Sequence, residues 1–166
     1  VTPTITPGTD KVQVFVGVRR VSEANAVIAE TSASGSSNSG TVRIFSNNST
    51  IPARYYAASR GTSDGPVGTN DAQYAAPSSN ALTVLGDISG DSTTLRINGA
   101  QVAQGTADQG TGNYLAYALY IGMRGGTSLP FNGHIYSLTA RFGPNLSSDQ
   151  IAAMEAYVAA RTGVTL

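Results

Sequence analysis

The chain contains no cysteine and no tryptophan. Without cysteine there are no disulfides, no thiolate metal sites and no cysteine nucleophile, although the compartment stays open. Lysine occurs once, as Lys11, and histidine once, as His134. Charged residues make up only 12% of the sequence, and the ten basic and ten acidic side chains cancel to a formal net charge of zero. No basic stripe is offered to a phosphate backbone, which argues against nucleic acid as a partner. No apolar run approaches the roughly 18 residues of a membrane-spanning helix, and no signal peptide is visible, so membrane insertion is not expected. The first residue is Val1 rather than methionine, which reads as a processed product or a piece of a longer polypeptide.

What remains is a 166-residue chain rich in glycine (19 residues), serine, threonine and asparagine. That length suits one domain able to bury about two thirds of its unfolded surface without staples. The composition is that of extracellular or virion β-proteins more than of cytosolic enzymes. The opening VTPTITPGTD, residues 1–10, has two prolines and reads as an extended arm or edge segment. KVQVFVGVRR (Lys11 to Arg20) is the clearest strand, with Val12, Val14, Val16 and Val18 on one face and Gln13, Phe15, Gly17 and Arg19 on the other. Further strands are expected over Ala26 to Glu30, Thr41 to Phe45, Arg54 to Ser59 and Ala81 to Ile88, then around Leu95 and over Tyr117 to Met123. Gly61 to Asn80 reads as a long loop with a ragged edge strand at most. Asn98-Gly99 between two alternating runs predicts a hairpin with a type I′ turn. In the last strand, His134 to Phe142, Ile135 and Leu138 cannot both face inward unless a bulge lies near Tyr136 or Ser137.

The period then changes. Ser147 followed three residues later by Gln150 is a capping box, Asp149 and Arg161 sit at the favourable ends, and Gly163 is placed to stop a helix of about 147–162. Ile151, Met154 and Val158 form a narrow apolar stripe, so the helix should lie on the surface of something larger. Strands at short spacing followed by one helix predict an all-β fold: an antiparallel two-sheet sandwich, residues 11–166, with one C-terminal α-helix.

LTVLGDISGDSTTLRINGAQVA (Leu82 to Ala103), LYIGMRGG (Leu119 to Gly126) and FNGHIYSLTARFGPNLSSDQIAAMEAYVAARTG (Phe131 to Gly163) together resemble the concanavalin A-like, laminin-G-like jelly-roll family. More narrowly, VFVGVRR, DISGDS and DQGTGNY…LYIGMRGGTSLPFNGHIYSL are similar to a modular domain of bacteriophage tail and other virion-associated proteins. The resemblance implies a jelly roll, a virion or extracellular location, and either a recognition or a structural role. Its usual leading F-D-G-x-D-D segment has no counterpart before VTPTIT, which implies a shortened module or a first strand supplied by a neighbouring chain.

Catalysis is poorly supplied. Hydrolases of this fold place two or three carboxylates along one strand, whereas the glutamates here are Glu23, Glu30 and Glu155, each isolated. Asp87 and Asp91 flank a Ser-Gly turn that they more plausibly cap. His134 stands at a strand start with no G-x-S-x-G motif anywhere. No enzyme is expected and no cofactor is required. Calcium is the one ion left open, through oxygen donors at Asp64 and Asp71 (with Asn70) or at Asp87 and Asp91. Sugar recognition needs rings and forked polar groups. Arg96 and Asn98 face away from Leu95 and Ile97, Tyr120 faces away from Leu119 and Ile121, and Arg124 follows that strand. If the two strands are neighbours, Arg96, Asn98, Tyr120 and Arg124 share a face and become the candidate ligand-binding set. Otherwise they are solvated positions or a subunit contact. The expected function is a non-catalytic recognition module binding cell-surface polysaccharide. The alternatives are a structural module contacting other virion chains or copies of itself and, more distantly, a polysaccharide hydrolase.

Overall fold

The computed structural model describes residues 1–48 and 54–166. Two antiparallel sheets face each other. The six-stranded sheet runs in the order β1 (Thr4–Ile5), β10 (Tyr117–Ile121), β3 (Ala26–Thr31), β4 (Thr41–Asn47), β5 (Tyr55–Arg60), β6 (Asp64–Thr69). The five-stranded sheet runs β11 (Gly133–Phe142), β2 (Lys11–Arg20), β7 (Ser78–Asp87), β8 (Ser92–Ile97), β9 (Ala100–Gly105). One helix, α1 (Ser148–Thr162), follows. This is the expected jelly-roll sandwich, and each strand's alternation explains its place in it.

Val12, Val14, Val16 and Val18 of β2 enter the core with Leu82 and Val84 of β7 and Leu95 and Ile97 of β8. They meet Ile28, Val42, Ile44, Tyr55, Ala57 and Val67 from the opposite sheet. Burying an aliphatic side chain of this size contributes about 1.5–3 kcal/mol, so this layer is the main source of stability. The hairpin between β8 and β9 turns at Asn98 (φ 50°) and Gly99 (φ 79°), the positive pair that a type I′ turn requires. In β11 the register slips between Ile135 and Ser137, which supplies the anticipated bulge at Tyr136. The 61–80 segment is more ordered than its composition suggested. It contains β6 at the sheet edge and a 3₁₀ turn (Ala72–Tyr74) capped by Asp71. The prolines of the first ten residues confine β1 to two residues, which pair with β10 of the same chain.

The other face of β2 explains the helix. Phe15 and Ala81 form a small apolar patch that Val158 and Ala159 cover, with Ile151, Met154 and Val164 packed alongside. The helix starts in the capping box of Ser147 and Gln150 and stops at Gly163 in the left-handed conformation. Gly17 lets it approach. A Cβ built there would lie 1.9 Å from Thr162 Oγ1. Gly17→Ala should therefore destabilise the fold by about 1–3 kcal/mol through overpacking. Adding Thr162→Ala should recover a measurable part of the loss in a urea-denaturation double-mutant cycle. Strict additivity of the two changes would refute this account of the contact.

Candidate functional site

The four residues predicted to share a face do not. β8 and β10 lie in different sheets, so Arg96 and Asn98 are separated from Tyr120 and Arg124 by the thickness of the sandwich. Arg96 points under the helix, where Nε and Nη2 meet Glu155 at 2.7 and 3.1 Å and Nη2 also donates to the Gly99 carbonyl. Asn98 accepts the Ala81 N–H at 2.8 Å and donates to Asn80 Oδ1 at 3.0 Å. Both residues serve the fold: one docks the helix and the other pins the hairpin.

Tyr120 and Arg124 both lie on the outer face of the six-stranded sheet on either side of Glu30, but of the two only Arg124 lines the cavity there. Tyr120 stands opposite Glu30, and Glu30 stands opposite Arg43, so the three make one row across β10, β3 and β4. The next row on that face contains Val27, Phe45 and Tyr56. Beyond β10 the chain folds back over this face, bringing Leu129 onto the Val27–Phe45–Tyr56–Ala58 cluster. Arg124 lays its guanidinium 5.3 Å from the Phe45 ring centre, and its Nε and Nη2 meet Glu30 at 3.0 and 3.1 Å. Arg43 grips Asp64 through both Nη atoms, at 3.0 and 2.6 Å, and also donates to the Gly35 carbonyl and the Tyr56 hydroxyl. Arg60 reaches Asp64 from the side at 3.2 Å. Between these groups lies a cavity of about 330 Å³ lined by Asn25, Ser36, Arg43, Phe45, Asn48, Tyr56, Asp64, Arg124 and Leu129.

The arginine charges here are balanced, and that of Arg43 is also buried. Burial alone would lower the Arg43 pKa, but the Asp64 carboxylate outweighs it and raises the pKa above its ordinary value. Glu30 is fully buried, and Arg124 supplies its counter-charge. Paired in this way, the outer face of a sheet can be sealed with charged residues.

The four aspartates proposed as calcium donors are held apart by separate protein partners. Asp64 is bound by arginines, Asp71 caps the 3₁₀ turn, Asp91 accepts the Gln109 N–H at 2.8 Å, and Asp87 accepts from Lys11 at 2.9 Å and from the Gly90 N–H at 2.9 Å. Among the described residues no group of three or more His, Asp or Glu side chains is arranged to hold a metal ion. The Asp87 cluster is instead an ion-pair device. Ser89 and then Lys11 lower the Asp10 pKa. Burial would raise that of Asp87, but Lys11 and the Gly90 amide outweigh it and leave it lowered. Asp87 and Asp10 together raise the pKa of Lys11. His134, expected to be a wet strand-end residue, is exposed beside Tyr136, their ring centres 6.2 Å apart.

Sequence reasoning missed Glu30, Arg43, Phe45 and Tyr56 as parts of this face, and it singled out Asp64 only as a calcium donor, whereas here it pairs with Arg43. The signal was present in β4, where Arg43 and Phe45 alternate with the core residues Val42 and Ile44. Of the Tyr55–Tyr56 pair, Tyr55 enters the core and Tyr56 faces the cavity, and both are covered.

No protein-family model matches the chain, and no curated protein resembles it in sequence. Solved structures do resemble it in shape. The CBM40 domain of the Ruminococcus gnavus IT-sialidase, bound to α2,3-sialyllactose, superposes with a TM-score of 0.58 at 18% identity, covering 90% of this chain and 84% of that one. Domain 4 of AbnA, an extracellular arabinanase of Geobacillus stearothermophilus, in complex with arabinotriose, gives 0.62 at 14% identity over 92% and 70%. Domains LG4-5 of the mouse laminin α1 chain give 0.59 at 11% identity, over 88% and 41%. The fold is the concanavalin A-like, laminin-G-like jelly roll. Identities this low establish fold and nothing finer.

Two outcomes follow from the ion pairs. Arg124→Met strands Glu30 in the interior and should cost about 3 kcal/mol, much of it returned by Glu30→Gln in the same chain; chemical denaturation of the three variants measures this. In the Lys11 cluster the lowered carboxylate pKa values contribute stability that is complete above the ordinary carboxylate range and fades as acid titrates them. The raised Lys11 pKa contributes stability that is complete below the ordinary lysine value and fades at higher pH. Lys11→Met should flatten both limbs of the stability–pH curve, and an unchanged curve would show that the cluster contributes nothing.

Proposed function

We propose that this protein is a non-catalytic carbohydrate-recognition module whose site is the cavity on the outer face of the six-stranded sheet. The observation that carries the reading is the cavity's lining: Tyr56, mostly covered, with its hydroxyl, the half-buried Leu129, a carboxylate and two guanidinium groups held in fixed geometry, with amide and hydroxyl side chains around the rim. Sugars are bound by an apolar ring surface and forked polar groups set at defined angles. A volume of about 330 Å³ lies at the lower end of the range for small-ligand pockets. Two of the structures that share the fold were solved with oligosaccharides, which supports the same reading.

The carboxylates beside the cavity, Glu30 and Asp64, are each engaged by an arginine fork rather than facing one another across an open space. That arrangement is wrong for the acid and nucleophile of a glycosidase and supports a binding role without hydrolysis. The likeness of VFVGVRR and LYIGMRGG to virion-associated modules extends the proposal to display on a virion or elsewhere outside the cell, with cell-surface polysaccharide as the target.

A glycan array with the purified protein tests the site. Saturable binding should weaken about tenfold in Tyr56→Phe, which removes one hydroxyl and keeps the ring. It should be unchanged in Gln101→Ala, on the exposed surface of β9 in the other sheet. A chelator should have no effect, because the candidate aspartates are engaged with protein groups. Binding that survives Tyr56→Phe and fails in Gln101→Ala would move the site to the five-stranded sheet.

A further inference from the structure

The hydrogen-bond inventory of the cavity discriminates between classes of sugar. Arg43 has four Nη hydrogens, and four acceptors meet them: the Gly35 carbonyl at 2.8 Å, the two Asp64 oxygens at 3.0 and 2.6 Å, and the Tyr56 hydroxyl at 3.0 Å. Arg124 has closed its Nε–Nη2 fork on Glu30, leaving the two Nη1 hydrogens and the second Nη2 hydrogen outside it. Each guanidinium that could clasp a ligand carboxylate therefore already holds a protein carboxylate, and a bidentate clasp is what gives arginine its affinity for that group.

Other capacity remains. A carboxylate offers about four lone-pair positions. Asp64 uses two on Arg43 and is paired in charge with Arg60, and its side chain stays about a third exposed. Tyr56 accepts from Arg43 and keeps its own proton to donate. Both groups bond the same Arg43 nitrogen, Nη2, so they are close neighbours, one an acceptor and the other a donor. A sugar hydroxyl, which donates and accepts at once, complements that pair. A carboxylate has no proton for Asp64 and would approach a like charge, a contact that selects against it.

We infer that the cavity selects neutral, hydroxyl-rich sugars and rejects carboxylated ones, with Asp64 and Tyr56 as the pair that reads a hydroxyl. This rests on the reading of the cavity as a carbohydrate site. It also separates the protein from the sialyllactose-bound neighbour of the same fold, whose ligand carries a carboxylate.

The test is calorimetric titration of the intact chain with matched neutral and acidic oligosaccharides: lactose against 3′-sialyllactose, and arabinotriose and cellotriose against trigalacturonic acid. Neutral members should bind at least tenfold more tightly than their acidic counterparts. Their affinity should change less than about threefold between roughly 0.05 and 0.5 M salt, since no net charge is neutralised on binding. Asp64→Asn should lose at least tenfold for the neutral sugars and narrow the gap to the acidic ones. Asp64 also balances Arg43, so Tyr56→Phe provides a gentler second variant, expected to weaken neutral sugars about tenfold and leave the acidic arm unmoved. A wild-type preference for the acidic members would overturn the class assignment while leaving the cavity as the site. Failure of the folded protein to bind any oligosaccharide would overturn both.

Discussion

Two strands at the centre of this protein, β2 and β4, are buried on both faces. A sandwich of two sheets covers its inner faces by construction, so the outer faces need separate solutions, and here they differ. Over β2 the solution is mostly apolar: a helix lies across Phe15 and Ala81, seated by the absence of a side chain at Gly17 and tied at one point by Arg96 and Glu155. Over β4 it is mostly ionic: arginines lie against aromatic rings, their charges balanced by Glu30 and Asp64. An apolar cover can be dense and dry. An ionic one keeps directional donors and acceptors at its surface, as the face without a helix does.

The ionic face is densely cross-linked. Each guanidinium is held by a ring on one side and a carboxylate at its edge, and Arg43 is also tied to the Gly35 carbonyl. Groups immobilised before a ligand arrives do not have to be ordered by it, and this lowers the entropic cost of binding. The same forks that stabilise the sheet therefore set the geometry of the cavity, and fold and cavity shape cannot be varied independently at Arg43 or Arg124.

Local features of this architecture are legible in the sequence because their causes are local. The valine alternation of β2, the Asn98–Gly99 turn, the bulge that Ile135 and Leu138 require, and the Ser147–Gln150 capping box each follow from a few adjacent residues. The site does not. Glu30 and Arg124 meet across 94 positions, and Arg43 and Asp64 across 21. Assigning Arg96 and Tyr120 to one face required β8 and β10 to be neighbours, whereas the chain crosses from one sheet to the other between β9 and β10. Alternation shows which residues point away from the core; only the strand order shows which sheet they are on, and hence whom they meet. Likewise 61–80 read as a loop with at most a ragged edge strand, and β6 is an edge, where a proline such as Pro66 is tolerated.

The margins of the two sheets carry a last consequence. Three of the four edges are blunted: β1 has two residues between Pro3 and Pro7, β6 carries Pro66, and β11 is kinked by its bulge. Unprotected strand edges template pairing with other chains, and shortness, proline and bulges are the usual defences. In this fold the devices that end each of these strands also make it a poor template for a strand of a second copy.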